Sequence, residues 1–259
     1  MEVVDGVAGL RPEHGPVFAV VGVFDGLHMG HAYLLGHLVH EAASRAARPT
    51  VITFDHHPDE VLTGSAPPLL MDPDERLERL AAAGVAVTVV QPFDDAVRRT
   101  TYDDFVGAIA ARAVLAGLLM TPDAAFGYQR AGTPAALTEL GARRSFDVVV
   151  VEPFTIDGAA VRSSEVREAI ASGDLVGAER LLGRPVTIRS RLDGATLILD
   201  WPLVLPPDGR YQASVGGVNT TLVVADRGRS LRLDDPVPGS AGLPDAGRVE
   251  VRLRRAHAG

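Results

Sequence analysis

Gly22-Val23-Phe24-Asp25-Gly26-Leu27-His28-Met29-Gly30-His31 is the stretch that decides the fold. Before it runs Val17-Phe18-Ala19-Val20-Val21, apolar and rich in β-branched residues, entered through Pro16. Such a run predicts a buried strand. After it, Leu34, Leu35, Leu38, Val39 and Ala42 recur at helical spacing, which predicts an amphipathic helix. The stretch is therefore a turn between the carboxyl end of a strand and the positive end of a helix dipole. In open α/β sheets that position receives anions, phosphates above all. Gly22, Gly26 and Gly30 let the backbone bend and approach a ligand closely. His28 and His31 have the spacing that lets two side chains at a helix start face the same way. An imidazole donates to a phosphate oxygen, and when protonated adds charge. Two of them suit a phosphoryl centre on which negative charge grows.

Composition narrows the chemistry. The chain has 259 residues, 46% of them hydrophobic, and no cysteine. Its mean hydropathy is +0.14, that of a packed globular chain. Disulfides and thiolate metal sites are excluded. The formal net charge of −8 argues against a broad nucleic-acid surface. The N-terminus lacks a basic-then-apolar leader, and no apolar run is long enough to span a bilayer. The expectation is a cytoplasmic protein with no membrane or nucleic-acid partner. All 25 basic residues are arginine. A Walker A loop and lysine-based covalent catalysis are thereby excluded, and anions must be bound by Arg, His and backbone N–H groups.

The rest of the chain alternates strand and helix as far as residue 185. Pro49–Phe54, Val85–Val90, Gly117–Met120 and Phe146–Val151 read as strands, with helices over 73–83, 102–115 and 137–145. The order implies βαβ units and a parallel, Rossmann-like sheet. Residues 1–16 read as an irregular lead-in. Beyond Gly183-Arg184-Pro185 the period becomes two, and Gly, Pro and Asp clusters separate short strands up to Arg248–Leu253. That pattern predicts a small antiparallel barrel or sandwich. The domains are expected at 1–185 and 186–259.

Phe24-Asp25-Gly26-Leu27-His28-Met29-Gly30-His31 resembles the H-x-G-H signature of nucleotidyltransferases. More narrowly, it resembles the G-x-F-D-G-x-H-x-G-H form of bacterial FAD synthetases, the bifunctional riboflavin kinase/FMN adenylyltransferases. Other stretches extend the likeness. Thr53-Phe54-Asp55-His56-His57-Pro58 resembles T-F-x-P-H-P, with His56 in place of proline. Asp123-Ala124-Ala125-Phe126-Gly127 resembles D/N-F-x-F-G, with Ala124 in place of the first aromatic, and Arg130 and Gly132 follow. Val161-Arg162-Ser163-Ser164-Glu165-Val166-Arg167 resembles I-S-S-T-x-I-R, with Arg162 in place of the first serine. Leu181-Leu182-Gly183-Arg184-Pro185 resembles the L-L-G-R-P that closes the adenylyltransferase region.

The resemblance implies transfer of AMP from ATP to FMN, giving FAD and pyrophosphate. It assigns His28, His31 and Arg167 to catalysis, and Gly22, Phe24, Asp25, Gly30, Ser163 and Ser164 to the nucleotide. His57, Pro58, Asp123, Phe126, Gly127 and Arg130 fall to the FMN acceptor, and Mg²⁺ is expected on the triphosphate. Ser163 or Ser164 is expected to cap the following helix, leaving amides for an anion. Residues 186–259 resemble a shortened riboflavin-kinase barrel, but the kinase signature G-x-P-T-A-N is absent. Asn219-Thr220 lies in another context, and the chain stops at Gly259, just after Arg254-Arg255, without the family's long terminal helix. No riboflavin kinase activity is therefore expected. Two other functions fit the residues: adenylation or a similar transfer to another phosphorylated small molecule, and a flavin- or nucleotide-binding regulatory module.

Overall fold

A computed structural model describes residues 1–234 and 248–256. Six parallel strands form one sheet: β1 (Glu2–Asp5), β2 (Val17–Val21), β3 (Arg48–Phe54), β4 (Val87–Gln91), β5 (Leu115–Met120) and β6 (Asp147–Val150), in the order β1-β4-β3-β2-β5-β6. β2 is buried along nearly its whole length, as a central parallel strand covered on both faces must be. Its neighbours are β3 on one side and β5 on the other. The chain runs β2, β3, β4 in one direction and then returns to β5 and β6, so the topological switch lies at the β2–β5 step. The lead-in is more regular than its sequence suggests. Glu2–Asp5 adds an edge strand by pairing with β4, a register that no local pattern announces.

Helices follow the strands: α1 (Met29–Ser44), α2 (Asp59–Thr63), α3 (Pro73–Ala82), α4 (Asp95–Arg99), α5 (Tyr102–Ala110) and α6 (Pro134–Arg144). α1 buries Leu35, Leu38 and Ala42, the stripe its spacing predicts. Asp94 caps α4 by accepting from the amides of Ala96 and Val97, and Thr101 caps α5 by accepting from Asp104. A short ribbon, β7 (Thr155–Ile156) with β8 (Ala159–Ala160), leads to α7 (Ser163–Ser172) and α8 (Leu175–Leu182). Six antiparallel strands then close a barrel: β9 (Thr187–Asp193), β10 (Thr196–Ile198), β11 (Gly209–Val215), β12 (Val218–Ala225), β13 (Ser230–Leu233) and β14 (Arg248–Ala256), in the order β10-β13-β12-β11-β14-β9. Closure removes the free edges a sandwich would leave. The chain end beyond residue 256, on which the expectation of no terminal helix falls, lies outside the described residues.

The chain divides into two compact units. The first comprises Met1–Phe24, Gly30–Pro67 and Leu77–Thr155; the second comprises Asp25–Met29, Pro68–Arg76 and the chain from Ile156 onward. Each has its own core. In the first, Val17, Ala19, Ile52, Val87, Val89 and Leu118 of the sheet pack with Phe105 and Ile109 of α5 and with Leu137 and Leu140 of α6. In the second, Val166, Ile170, Leu175, Ala178 and Leu182 of α7 and α8 join the inward-facing barrel residues, among them Tyr211, Leu222, Val251 and Leu253. Among the described residues no helix is long and apolar enough to cross a membrane.

Gly117 on β5 faces the fully buried Phe18 of β2. A Cβ there would lie 2.4 Å from the Phe18 ring and 2.8 Å from the Asp147 carbonyl oxygen. Gly117→Ala should therefore lower stability by about 1–3 kcal/mol, the usual effect of overpacking. Urea unfolding measures it; an unchanged midpoint would show that the strands can spread at no cost.

Candidate functional site: an anchored motif turn and a pocket at the strand ends

The H-x-G-H turn runs through left-handed backbone at Phe24 (φ 54°), Gly26 (φ 81°) and Leu27 (φ 36°). Non-glycine residues adopt that region at a cost, so the surroundings must hold them there. Within the second unit, the turn segment Asp25–Met29 is held at every carbonyl from Asp25 to Leu27. Ser163 Oγ donates to the Asp25 carbonyl at 3.0 Å, Arg184 Nη2 to that of Gly26 at 2.8 Å, and Arg184 Nη1 to that of Leu27 at 3.3 Å. The Asp25 carboxylate is 3% exposed. Both its oxygens accept from the Leu70 amide at 3.0 Å, and Oδ2 lies 2.6 Å from Arg167 Nη2. Arg167 Nε donates to the Pro68 carbonyl at 2.9 Å.

Four residues assigned from sequence thus meet in this unit: Asp25, His28, Ser163 and Arg167. The serines do not cap α7. Arg162 occupies the N-cap, and its amide donates to Glu165 Oε2 at 3.2 Å. Ser163 has turned its hydroxyl to the motif instead, a partner far away in sequence. Ser164 is exposed.

His28 is 4% exposed, and its imidazole titrates at about 4 instead of 6.5. Burial is the main cause, and the cations of Arg184 and Arg167 add to it. His28 is accordingly neutral at physiological pH. It can donate one hydrogen bond but brings no charge, whereas the residue type alone allows either.

In the first unit, a pocket of about 870 Å³ opens beyond the carboxyl ends of the strands. Val21, Gly22 and Val23 line it after β2, Phe54, His57 and Pro58 after β3, Phe93 after β4, and Ala124 to Arg130 after β5. That is the switch-point crevice where α/β sheets bind ligands. It brings together Gly22, His57, Pro58, Phe126, Gly127 and Arg130. Asp123 is not among its lining residues; it accepts from Thr121 Oγ1 at 2.8 Å, and its carbonyl accepts from Arg130 Nη2 at 3.2 Å. Gly127 (φ 76°) is required where it stands, since a Cβ would meet the Tyr102 amide nitrogen at 2.5 Å. The Phe24 and His31 rings meet at a tilt of 44° with centroids 5.0 Å apart, and Gly30 lies in the first turn of α1.

The pocket also holds residues that sequence reading did not assign: Phe93, Val97 and Arg98, with Phe54 as an aromatic wall. Phe54 and Phe93 meet edge to face at 5.2 Å, and Phe105 and Phe126 at 5.7 Å. Their signal was positional. Each parallel strand delivers its last residues to the same crevice, so the residues following Val87–Gln91 were candidates by place. Among the described residues no group of three or more His, Asp or Glu side chains could hold a metal ion.

A parallel sheet with its pocket at the switch point and an H-x-G-H turn between strand and helix define a nucleotidyltransferase-type fold. A family model described as FAD synthetase matches residues 10–165, and the chain belongs to that family. The bifunctional riboflavin kinase/FMN adenylyltransferase of Escherichia coli K12 is 30% identical over 250 residues, covering 94% of this chain and 78% of that protein. That of Pseudomonas fluorescens is 32% identical over 193 residues, covering 74% of this chain and 62% of the relative. A solved structure described as a macrolide-efflux protein from Streptococcus pneumoniae superposes with a TM-score of 0.78 at 21% identity, covering 99% of this chain and 91% of that one. That likeness concerns the fold alone.

The depressed titration of His28 has a measurable consequence. The unfolded chain protonates this imidazole near 6.5 and the folded chain near 4, so the folded state loses ground as pH falls through that window. Between pH 7 and pH 4.5, His28→Gln should lose about 2 kcal/mol less stability than the parent chain. Urea titrations of both proteins at the two pH values test this. Equal losses would mean that His28 is accessible to protons in the folded state.

Proposed function

We propose that this chain is an FMN adenylyltransferase, joining FMN and ATP to FAD and pyrophosphate, and that it has no riboflavin kinase activity. The observation that carries the reading is the aromatic-walled crevice at the β2–β5 switch point. It has the volume and the ring-bearing walls for a flavin, in a chain of the FAD synthetase family. Phe93 and Phe54 offset the aromatic that the Ala124 position lacks, which favours a flavin over another phosphorylated acceptor.

The chemistry demands little of the protein beyond position and charge. A phosphate oxygen of FMN bonds to the α-phosphorus of ATP. The bond from that phosphorus to the bridging oxygen breaks, and its electron pair leaves with pyrophosphate. In this reading neutral His28, together with His31, donates to the α-phosphate oxygens as charge grows there. Gly22, Phe24, Asp25, Gly30, Ser163 and Ser164 serve the nucleotide, and Arg167 the β- and γ-phosphates. His57, Pro58, Phe126, Gly127 and Arg130 serve FMN, and Asp123, outside the pocket lining, serves it through its carbonyl's hold on Arg130. Mg²⁺ is the ion that the triphosphate carries in. Residues 1–185 carry the transfer, and residues 186–259 form a barrel without the kinase signature.

Purified protein with Mg²⁺-ATP should convert FMN to FAD and leave riboflavin unchanged, as read by chromatography of the products. FAD absent from the FMN reaction removes the proposal; FMN formed from riboflavin removes its second half. Arg167 gives a finer test. Its Nε and Nη2 already hold Pro68 and Asp25, a planar geometry that lysine cannot copy. Arg167→Lys should lower kcat/KM for ATP by roughly ten- to hundredfold. FMN binding in the absence of ATP, followed by flavin fluorescence, should change little. The opposite pattern would move Arg167 to the acceptor.

A further inference from the structure

Gly183-Arg184 reads in sequence as a domain boundary within the L-L-G-R-P likeness, and the mechanism above gives it no task. The structure places it against the motif turn, within the second unit. Gly183 ends α8 in left-handed backbone (φ 70°) and closes the helix through its amide to the Glu179 carbonyl. A Cβ on Gly183 would lie 2.3 Å from Met29 Sδ, so any larger residue here would have to displace the Met29 side chain. The next residue uses that approach. Arg184 Nη2 donates to the Gly26 carbonyl at 2.8 Å, and Nη1 to the carbonyls of Leu27 and Leu182 at 3.3 Å each.

We propose that Arg184 is a positioning residue for the reaction: it holds the carbonyls of Gly26 and Leu27 and so fixes the turn that presents His28. In a trans peptide the carbonyl and the following amide lie in one plane and point in opposite directions. Holding the Gly26 and Leu27 carbonyls at Arg184 therefore turns the amides of Leu27 and His28 the other way, as an anion-binding turn requires. The strain at Leu27, a branched side chain at φ 36°, needs such an external hold. A guanidinium suits the task because its donors are coplanar and fixed, so one group spans two successive carbonyls and the Leu182 carbonyl at the end of α8. The same cation contributes to keeping His28 neutral, alongside burial and Arg167. Arg184 touches no reacting atom in this account; it acts through the turn.

The inference rests on the adenylyltransferase reading for its kinetic part only. Arg184→Gln and Arg184→Lys are compared with the parent chain by three measurements. Hydrogen exchange of the Leu27 and His28 amides should be faster in both variants, because neither side chain bridges the carbonyls. kcat for FAD formation should fall roughly ten- to hundredfold in Arg184→Gln and less in Arg184→Lys, the loss expected for charged hydrogen bonds. The dissociation constant of FMN, which the first unit's pocket binds, should stay as it is. Added guanidinium ion at millimolar concentration should restore part of the kcat of Arg184→Gln, which a merely misfolded chain would not allow. Unchanged exchange, or full activity in Arg184→Lys, overturns the proposal. If Arg184→Gln does not fold, Arg184→Lys, which keeps the charge, decides by the same criteria. A parent chain that makes no FAD sinks the proposed function, and the exchange measurement still judges Arg184.

Discussion

The second unit depends on one buried ion pair. Asp25 is almost without solvent and lies 2.6 Å from Arg167. The carboxylate would not tolerate that environment alone; removing the arginine would cost several kcal/mol because Asp25 would remain buried. The pair is also a crossing of three chain segments. Asp25 comes from the motif, Leu70 and Pro68 from the stretch before α3, and Arg167 from α7. A single carboxylate and a single guanidinium thus order segments that lie 45 to 142 residues apart, and the strained turn is held by those neighbours.

Much of this was legible in the residues. The strand–turn–helix around Gly22–His31 and the switch from helical to alternating period reflect local patterning, which side-chain type dictates directly. The closed barrel was left open against a sandwich, because closure depends on which strands pair, and β14 returns to both β9 and β11. β1 was missed for the same reason: four residues become a strand only because β4 offers a free edge. At the site, residue types and motif spacing named His28, Ser163 and Arg167. They could not say that Ser163 turns to the Asp25 carbonyl and leaves the helix cap to Arg162, since both uses satisfy a hydroxyl. Phe93 and Arg98 escaped because nothing in their own segment marks them; only the parallel sheet brings them to the crevice.

The electrostatics of the turn favour a particular style of catalysis. In the proposed reaction the phosphate nucleophile is already an anion, so a base near neutrality is not needed. Burial and two nearby cations keep His28 uncharged over the physiological range, so it would meet a ligand as a neutral hydrogen-bond donor. Such a group adds no net charge to a turn already bordered by Arg167 and Arg184. Its benefit is preorganisation: no solvent has to rearrange when charge develops on the ligand.

The composition of the second unit from Asp25–Met29, Pro68–Arg76 and the chain from Ile156 onward bears on heredity as well as on folding. A recombination event that transplanted only the coding region for the barrel and its two preceding helices would carry Arg167 and Arg184 without the residues they hold. The recipient protein would gain two half-buried cations lacking their carboxylate and carbonyl partners. The unit is compact in space yet scattered along the gene, so it is inherited with the sheet-bearing unit or not at all.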